Sequence, residues 1–243
     1  MPSRWWVPIP DVDPERVTVN FVHAAVSGWF DKSSAQHAAG EKPYALSPLA
    51  DGDDGAPGLE VAVFTSDAEQ LLAQATAPGS GIRLGNQIRR MGQPHLIARH
   101  TWGELAAGPH EQRWELTFAT PVTFRKGDRA TPLPEVRTIL AGLHRGWQTW
   151  SDVTLPPLRL AVENTYASDL DLTSSPLRLT IPGRGSGPVK ITIPGSTGRL
   201  TLRCASREAA VVASPLIRFA SYAGVGSMTR RGLGVTRVQT PTS

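Results

Sequence analysis

A single cysteine, Cys204, stands in 243 residues, so no internal disulfide framework exists. That absence suits a reducing compartment. No apolar run approaches the roughly 18–20 residues of a membrane span, and the N-terminal stretch "MPSRWWVPIPDVDPERVTV" has none long enough for a signal peptide. A cytoplasmic protein with no membrane partner is expected. Lysine is scarce, and arginine supplies most of the 25 basic side chains that set the net charge of +4. This modest excess permits a polyanionic partner. A genome rich in G and C, with its Ala, Gly, Pro and Arg codons, produces the same bias.

Several familiar sites are also missing. With one cysteine and no H-x-x-x-H pair, a zinc site is not expected. The acidic run "DGDDG" (51–55) lacks the spacing of a calcium loop, and the twelfth position holds Ala62. "GRGSG" and "GSTG" miss the nucleophile-elbow pattern of Ser-His-Asp hydrolases. No metal and no cofactor are expected.

At 40% hydrophobic and 19% charged, the chain can bury a sizeable core. Alternation predicts a strand over "ERVTVNFVHA" (15–24), and "AAVSGWFDKSSAQHA" then reads as a helix. "KPYALSPLA" and "GLEVAVFTS" read as strands around the acidic loop. "SDAEQLLAQATA" reads as a helix capped by Ser66, with Glu69 completing a capping box. "GIRLGNQIRRMG" and "PHLIARHTW" add strand-like segments, and "AAGPHEQ" (106–112) reads as a linker. Beyond it come a strand "RWELTFATP" and a helix "PLPEVRTILAGLHRGW" with Pro134 near its first turn. Strands follow over "LRLAVENTYASDLDL", "SPLRLTIP", "VKITIP" and "GRLTLRCA", then a helix around "ASPLIRFASYAG" and a last strand "LGVTRV". Both halves read β-α-β-β-α-β, which predicts an α+β protein of two tandem ferredoxin-like domains. Their expected bounds are 1–108 and 112–243.

The most unusual stretch is "AGVGSMTRRGLG", in which Gly224, Gly226, Gly232 and Gly234 surround Ser227, Arg230 and Arg231. It is not a dinucleotide fingerprint, because the third glycine position counted from Gly224 is Thr229. Nor is it a P-loop, because the required glycine counted from Gly226 is Arg231. Its order is helix, loop, strand, the reverse of both motifs. Two readings fit: backbone amides freed of Cβ interference form an anion-binding concavity, or the glycines permit a tight turn or close packing.

This loop after "IRFASYAG" has companions: "LTFATPVTFRKGD…PLPEVRTILAGLHRGW" and the stretch H-x(4)-K-P-Y-x-x-S-P-L, which begins at His37. Together they resemble the CRISPR-associated repeat-processing endoribonucleases of the repeat-associated mysterious protein superfamily, over most of the chain and in order. The resemblance implies binding of the repeat in precursor CRISPR RNA and one metal-independent cut per repeat. The RNA's own 2′-hydroxyl attacks, leaving a 2′,3′-cyclic phosphate and a 5′-hydroxyl. It places the catalytic histidine at His37, with Lys42 close enough to address the same phosphate.

Such a cleavage needs a base, an acid and positive charge on the pentacoordinate phosphate. Of six histidines, His23 is second to His37, although its alternation with Val19 and Phe21 equally suits a half-buried core position. Tyr44 and Ser47 can donate hydrogen bonds, or Tyr44 can pack in a strand. Arg89, Arg90, Lys126 and Arg129, with Arg230 and Arg231, are candidate RNA contacts. Trp5, Trp6, Trp147 and Trp150 are candidates for base stacking or for core packing. The alternative is a non-catalytic RNA-binding subunit of a CRISPR effector complex. A homodimer and contacts to other effector subunits stay open.

Overall fold

The computed structural model describes residues 1–31, 41–52, 55–182 and 187–240. The elements of the first half are β1 (Ser3–Pro8), α1 (Val19–Phe30), β2 (Tyr44–Leu46), β3 (Ala50–Asp51), β4 (Pro57–Val63), α2 (Ser66–Ala75), β5 (Gly81–Leu84), β6 (Gln87–Arg90), β7 (His95–Arg99) and α3 (Trp102–Ala107). In the second half come β8 (Arg113–Val122), β9 (Phe124–Lys126), β10 (Arg129–Thr131), α4 (Val136–Trp150), α5 (Leu158–Asn164), β11 (Thr165–Ser174), β12 (Leu177–Pro182), β13 (Pro188–Ile193), β14 (Ser196–Cys204), α6 (Arg207–Ala223) and β15 (Thr236–Gln239).

The two principal sheets repeat one topology. Strand order is β2-β4-β1-β7 in the first and β11-β14-β8-β15 in the second, antiparallel throughout. Numbering the four principal strands of each half by chain order gives 2-3-1-4 twice. The α+β reading of two ferredoxin-like units therefore stands, with β5–β6, β9–β10 and β12–β13 as added hairpins.

The helices obey the 3.6-residue period. Val22, Val26 and Phe30 of α1 fall on one buried face, and Ile139, Leu140, Leu143 and Trp147 do the same in α4. Two glycines, Gly142 and Gly146, interrupt α4. Each costs a helix interior roughly 0.5–1 kcal/mol relative to alanine. A Cβ at Gly146 would meet the Phe219 ring at 3.2 Å, whereas one at Gly142 would meet nothing within 4 Å. Only the first is explained by packing.

The two halves share apolar contacts. Trp102 of α3 lies 4.9 Å from Trp147 of α4 and 5.0 Å from Phe219 of α6, centroid to centroid. Phe64 also meets Phe219, edge to face at 5.4 Å. A partly buried ion-pair group crosses the same junction, where Glu60 of β4 binds both Arg4 of β1 and Arg237 of β15. Arg218 of α6 donates to the carbonyls of Leu105 and Pro109, tying α6 to the connection between the sheets.

Four expectations are corrected. The first strand is β1, over "SRWWVP", while 15–24 belongs to a 3₁₀ turn and to α1. Alternation of Val17, Val19 and Phe21 suggested a strand, but Val22, Val26 and Phe30 hold the segment as a helix against the core. Thr65, not Ser66, caps α2 by accepting the Ala68 N–H. The capping box belongs to α3, formed by Thr101 and Glu104. Residues 158–164 of the long predicted strand are helical, and α6 begins at Arg207 with Pro215 inside it. No helix among the described residues is long and apolar enough to cross a membrane.

Candidate functional site

The Gly-rich loop leaves the C-terminus of α6, and all four of its glycines have φ between +66° and +88°. Such backbone disfavours any L side chain. Each glycine is also approached closely. A Cβ would meet the Gly234 carbonyl oxygen at Gly224, that of Thr123 at Gly226, the Pro48 nitrogen at Gly232 and the Val225 carbonyl oxygen at Gly234. The loop folds on itself through Val225 N–H to Gly234 O (2.8 Å) and is held to the β8–β9 connection through Ser227 N–H to Thr123 O (2.7 Å) and Gly234 N–H to Pro121 O (3.0 Å). Most of its amides are thereby used internally, and those of Gly226, Met228, Thr229 and Arg230 stand outside this set. Close packing is thus the first reason for the glycines. It presents a short arc, 226–230, towards the first half of the chain.

His23, on α1 rather than at a strand end, meets this arc: its Nδ1 lies 2.9 Å from the Arg230 carbonyl oxygen. A carbonyl only accepts, so Nδ1 carries the proton and Nε2 carries the lone pair in the neutral ring.

Below the loop, Lys42 and Asp31 form an ion pair at 2.5 Å, with side chains 5% and 6% exposed. Beside them the Tyr44 ring stacks on Phe30, centroids 4.4 Å apart. Tyr44 is 1% exposed, and its hydroxyl has no hydrogen-bond partner among the described residues. Burial pushes its pKa up to about 12, the Asp31 carboxylate adds to the rise and Arg230 opposes it. Tyr44 is therefore a proton donor at neutral pH, and an unsatisfied buried hydroxyl marks a place where a ligand atom is wanted.

A cleft of about 620 Å³ joins these groups. Its lining brings Lys42, Tyr44 and loop residues 224–230 together with Arg125 and one face of α4, namely Arg137, Ala141, Gly142, Arg145, Gly146 and Trp150. Glu41 is the acidic side chain in that lining. Arg125, Arg137, Arg145 and Arg230 make no ion pair among the described residues. Cations left without carboxylates around a cleft suit a polyanion.

Of the residues singled out in the sequence, Lys42, Tyr44, Gly224, Gly226, Ser227 and Arg230 line the cleft. Arg231 follows it in a 3₁₀ turn, and Gly232 and Gly234 anchor the loop. Arg89 and Arg90 sit on the β5–β6 hairpin, away from this lining. Lys126, paired with Glu135 at 3.2 Å, and Arg129 sit on the β9–β10 hairpin next to Arg125. Ser47 uses its hydroxyl structurally, accepting from Glu60 N–H and donating to Pro48 O. Trp6 and Trp147 are core residues, Trp5 lies under Arg99, and Trp150 reaches the cleft. His37 lies outside the described residues. Sequence reasoning missed Arg125, Arg137 and Arg145. The last two are eight residues apart on a strongly amphipathic helix, a spacing that puts them on one face.

The family model described as CRISPR-associated endoribonuclease Cas6 matches residues 116–236. No match to a curated protein was found by sequence. Among solved structures, a Cas6 product complex superposes with a TM-score of 0.77 and 26% identity, over 99% of this chain and 100% of the other. A Cas6 substrate-mimic complex gives 0.73 and 25%, over 98% and 99%. Cas6 from Thermus thermophilus gives 0.71 and 25%, over 98% of each. A RAMP protein binding different RNA substrates shares the fold at 12% identity and a TM-score of 0.59. With the doubled ferredoxin-like topology and the loop-roofed cationic cleft, these findings place the chain in the CRISPR-associated endoribonuclease Cas6 family.

Proposed function

We propose that this protein binds the repeat of precursor CRISPR RNA in the cleft beneath the Gly-rich loop and cuts it there without a metal ion. The observation that carries the reading is the convergence of Lys42, the unpartnered Tyr44 hydroxyl and ion-pair-free arginines on one cleft. An RNA 2′-hydroxyl is already beside its phosphorus, so the nucleophile needs a base rather than a metal-bound water. The 2′-oxygen attacks phosphorus, its proton passes to the base, and the bond from phosphorus to the 5′-oxygen breaks. An acid protonates that departing oxygen, giving a 2′,3′-cyclic phosphate and a 5′-hydroxyl.

His37 is assigned proton transfer, on its place in the H-x(4)-K-P-Y stretch. His23 is the second candidate, since its ring is oriented by Arg230 with Nε2 as the basic atom. Lys42 supplies positive charge to the phosphate and Tyr44 a hydrogen bond. Arg230, the Ser227 hydroxyl and the amides of Gly226, Met228, Thr229 and Arg230 hold the phosphate from above, and the loop glycines keep that arc in place.

The test is a gel with 5′-labelled repeat RNA from the same genome, run in EDTA beside His37→Ala and a substrate carrying a 2′-deoxy at the cut. Discrete cleavage, abolished by either change, is expected. Loss with the deoxy substrate alone keeps the mechanism and transfers the proton role to His23. A strict requirement for magnesium overturns it. RNA bound but never cut makes the protein a guide-RNA binding subunit instead.

A further inference from the structure

Gly142 is a mid-helix glycine with no internal reason to be one. It is exposed on α4, and a Cβ built there meets nothing within 4 Å. It also lines the cleft, between Arg137 and Arg145. Those two side chains are exposed and stand about 12 Å apart along the helix axis. Neither makes an ion pair among the described residues. Ala141 and Gly142 between them keep the helix surface low, so a bulky chain can lie against its backbone while an arginine grips it at either end. Trp150, one and a half turns beyond Arg145, offers a ring to the same cleft.

An independent feature of the cleft asks for a ligand, namely the Tyr44 hydroxyl, buried and without a partner. The size of the cleft, about 620 Å³, falls within the roughly 300–1,000 Å³ of small-molecule sites. That suits a few unstacked nucleotides.

We infer that α4 is a second RNA-binding wall of the cleft, in which Gly142 is a notch that admits a single RNA strand and Arg137 and Arg145 hold its phosphates on either side. The inference rests on the RNA reading above and adds to it a strandedness and a specificity-determining glycine. Duplex RNA is excluded from this wall because A-form geometry presents two strands and a broad shallow groove, which the notch does not fit.

The experiment titrates a fluorescein-labelled oligouridylate, and an oligoadenylate–oligouridylate duplex of the same length, across a salt series. The proteins are wild type, Gly142→Ala, Gly142→Leu, Arg137→Ala and Arg145→Ala. Gly142→Leu is expected to weaken single-strand binding about tenfold and leave duplex binding unchanged. Each arginine variant is expected to lower the log–log salt slope by about 0.7, the value for one phosphate contact on a single strand. Gly142→Ala, as a folding control, raises Tm by about 2 °C. Equal affinities and slopes in all variants, or no wild-type affinity for oligouridylate at low salt, overturn the inference. Gly142-dependent binding by a protein that cuts no repeat RNA removes the nuclease reading and leaves the wall standing. A protein that cuts repeat RNA with unchanged binding across the variants removes the wall alone.

Discussion

Tyr44 keeps a hydroxyl in the protein interior with nothing among the described residues to bond it. A phenylalanine there loses no internal hydrogen bond, so Tyr44→Phe is expected to melt no lower than wild type while its single-turnover cleavage falls. A group with only a structural role would move the two together. The pKa gives a second readout. The folded value is raised from 10.0 to about 12, so the folded state holds its proton more tightly than the unfolded chain. The associated stability is complete below pH 10 and is lost as pH rises through about 12. Thermal melts across that window should show a steeper decline in wild type than in Tyr44→Phe. Tyr44 and Lys42 were legible in the sequence because they stand in a short motif. Arg137 and Arg145 were not, because periodicity shows that two residues share a face without showing what that face meets.

At the scale of the element, the Gly-rich loop is a self-packed turn whose shape comes from backbone crossings. Gly234→Ala forces a Cβ into the Val225 carbonyl oxygen at φ +66°. A loss of about 1–3 kcal/mol is expected in a denaturant titration, with a larger fall in RNA affinity than in overall stability, because the arc at 226–230 shifts. The loop could be read from the sequence as something special, since four glycines fall within eleven residues. Which role they served was not readable, since amides facing a phosphate and amides spent on neighbouring carbonyls require the same residue type. The displaced first strand has a similar cause. Val17, Val19 and Phe21 are β-formers at period two, and the tertiary burial of Val22, Val26 and Phe30 overrode that local preference. The neighbouring hydroxyls Thr65 and Ser66 are equivalent as caps on composition alone.

Across the whole molecule, the two sheets are joined by apolar packing and by partly buried ion pairs. Trp102, 4% exposed, touches side chains of α4 and α6. Trp102→Ala is expected to cost about 3–5 kcal/mol. Far-UV circular dichroism and tryptophan fluorescence should still report one shared unfolding midpoint, since the halves lose a common interior. Two separated midpoints would show that the halves fold independently. The doubled strand pattern was legible from hydrophobic alternation and turn spacing. The union of the halves was not, because it depends on contacts such as Arg237 with Glu60 that are remote along the chain.

That remoteness has a consequence for how the protein is made. One side of the cleft is supplied by residues 41–44 and its roof by 224–230. A ribosome adding about 5–20 residues per second needs roughly ten to forty seconds to pass from the first to the second. Through that interval the nascent chain carries half a site and cannot close it on RNA. The final turns of α6 and the loop behind them set the moment of assembly, since the cleft exists only in chains extended through residue 230.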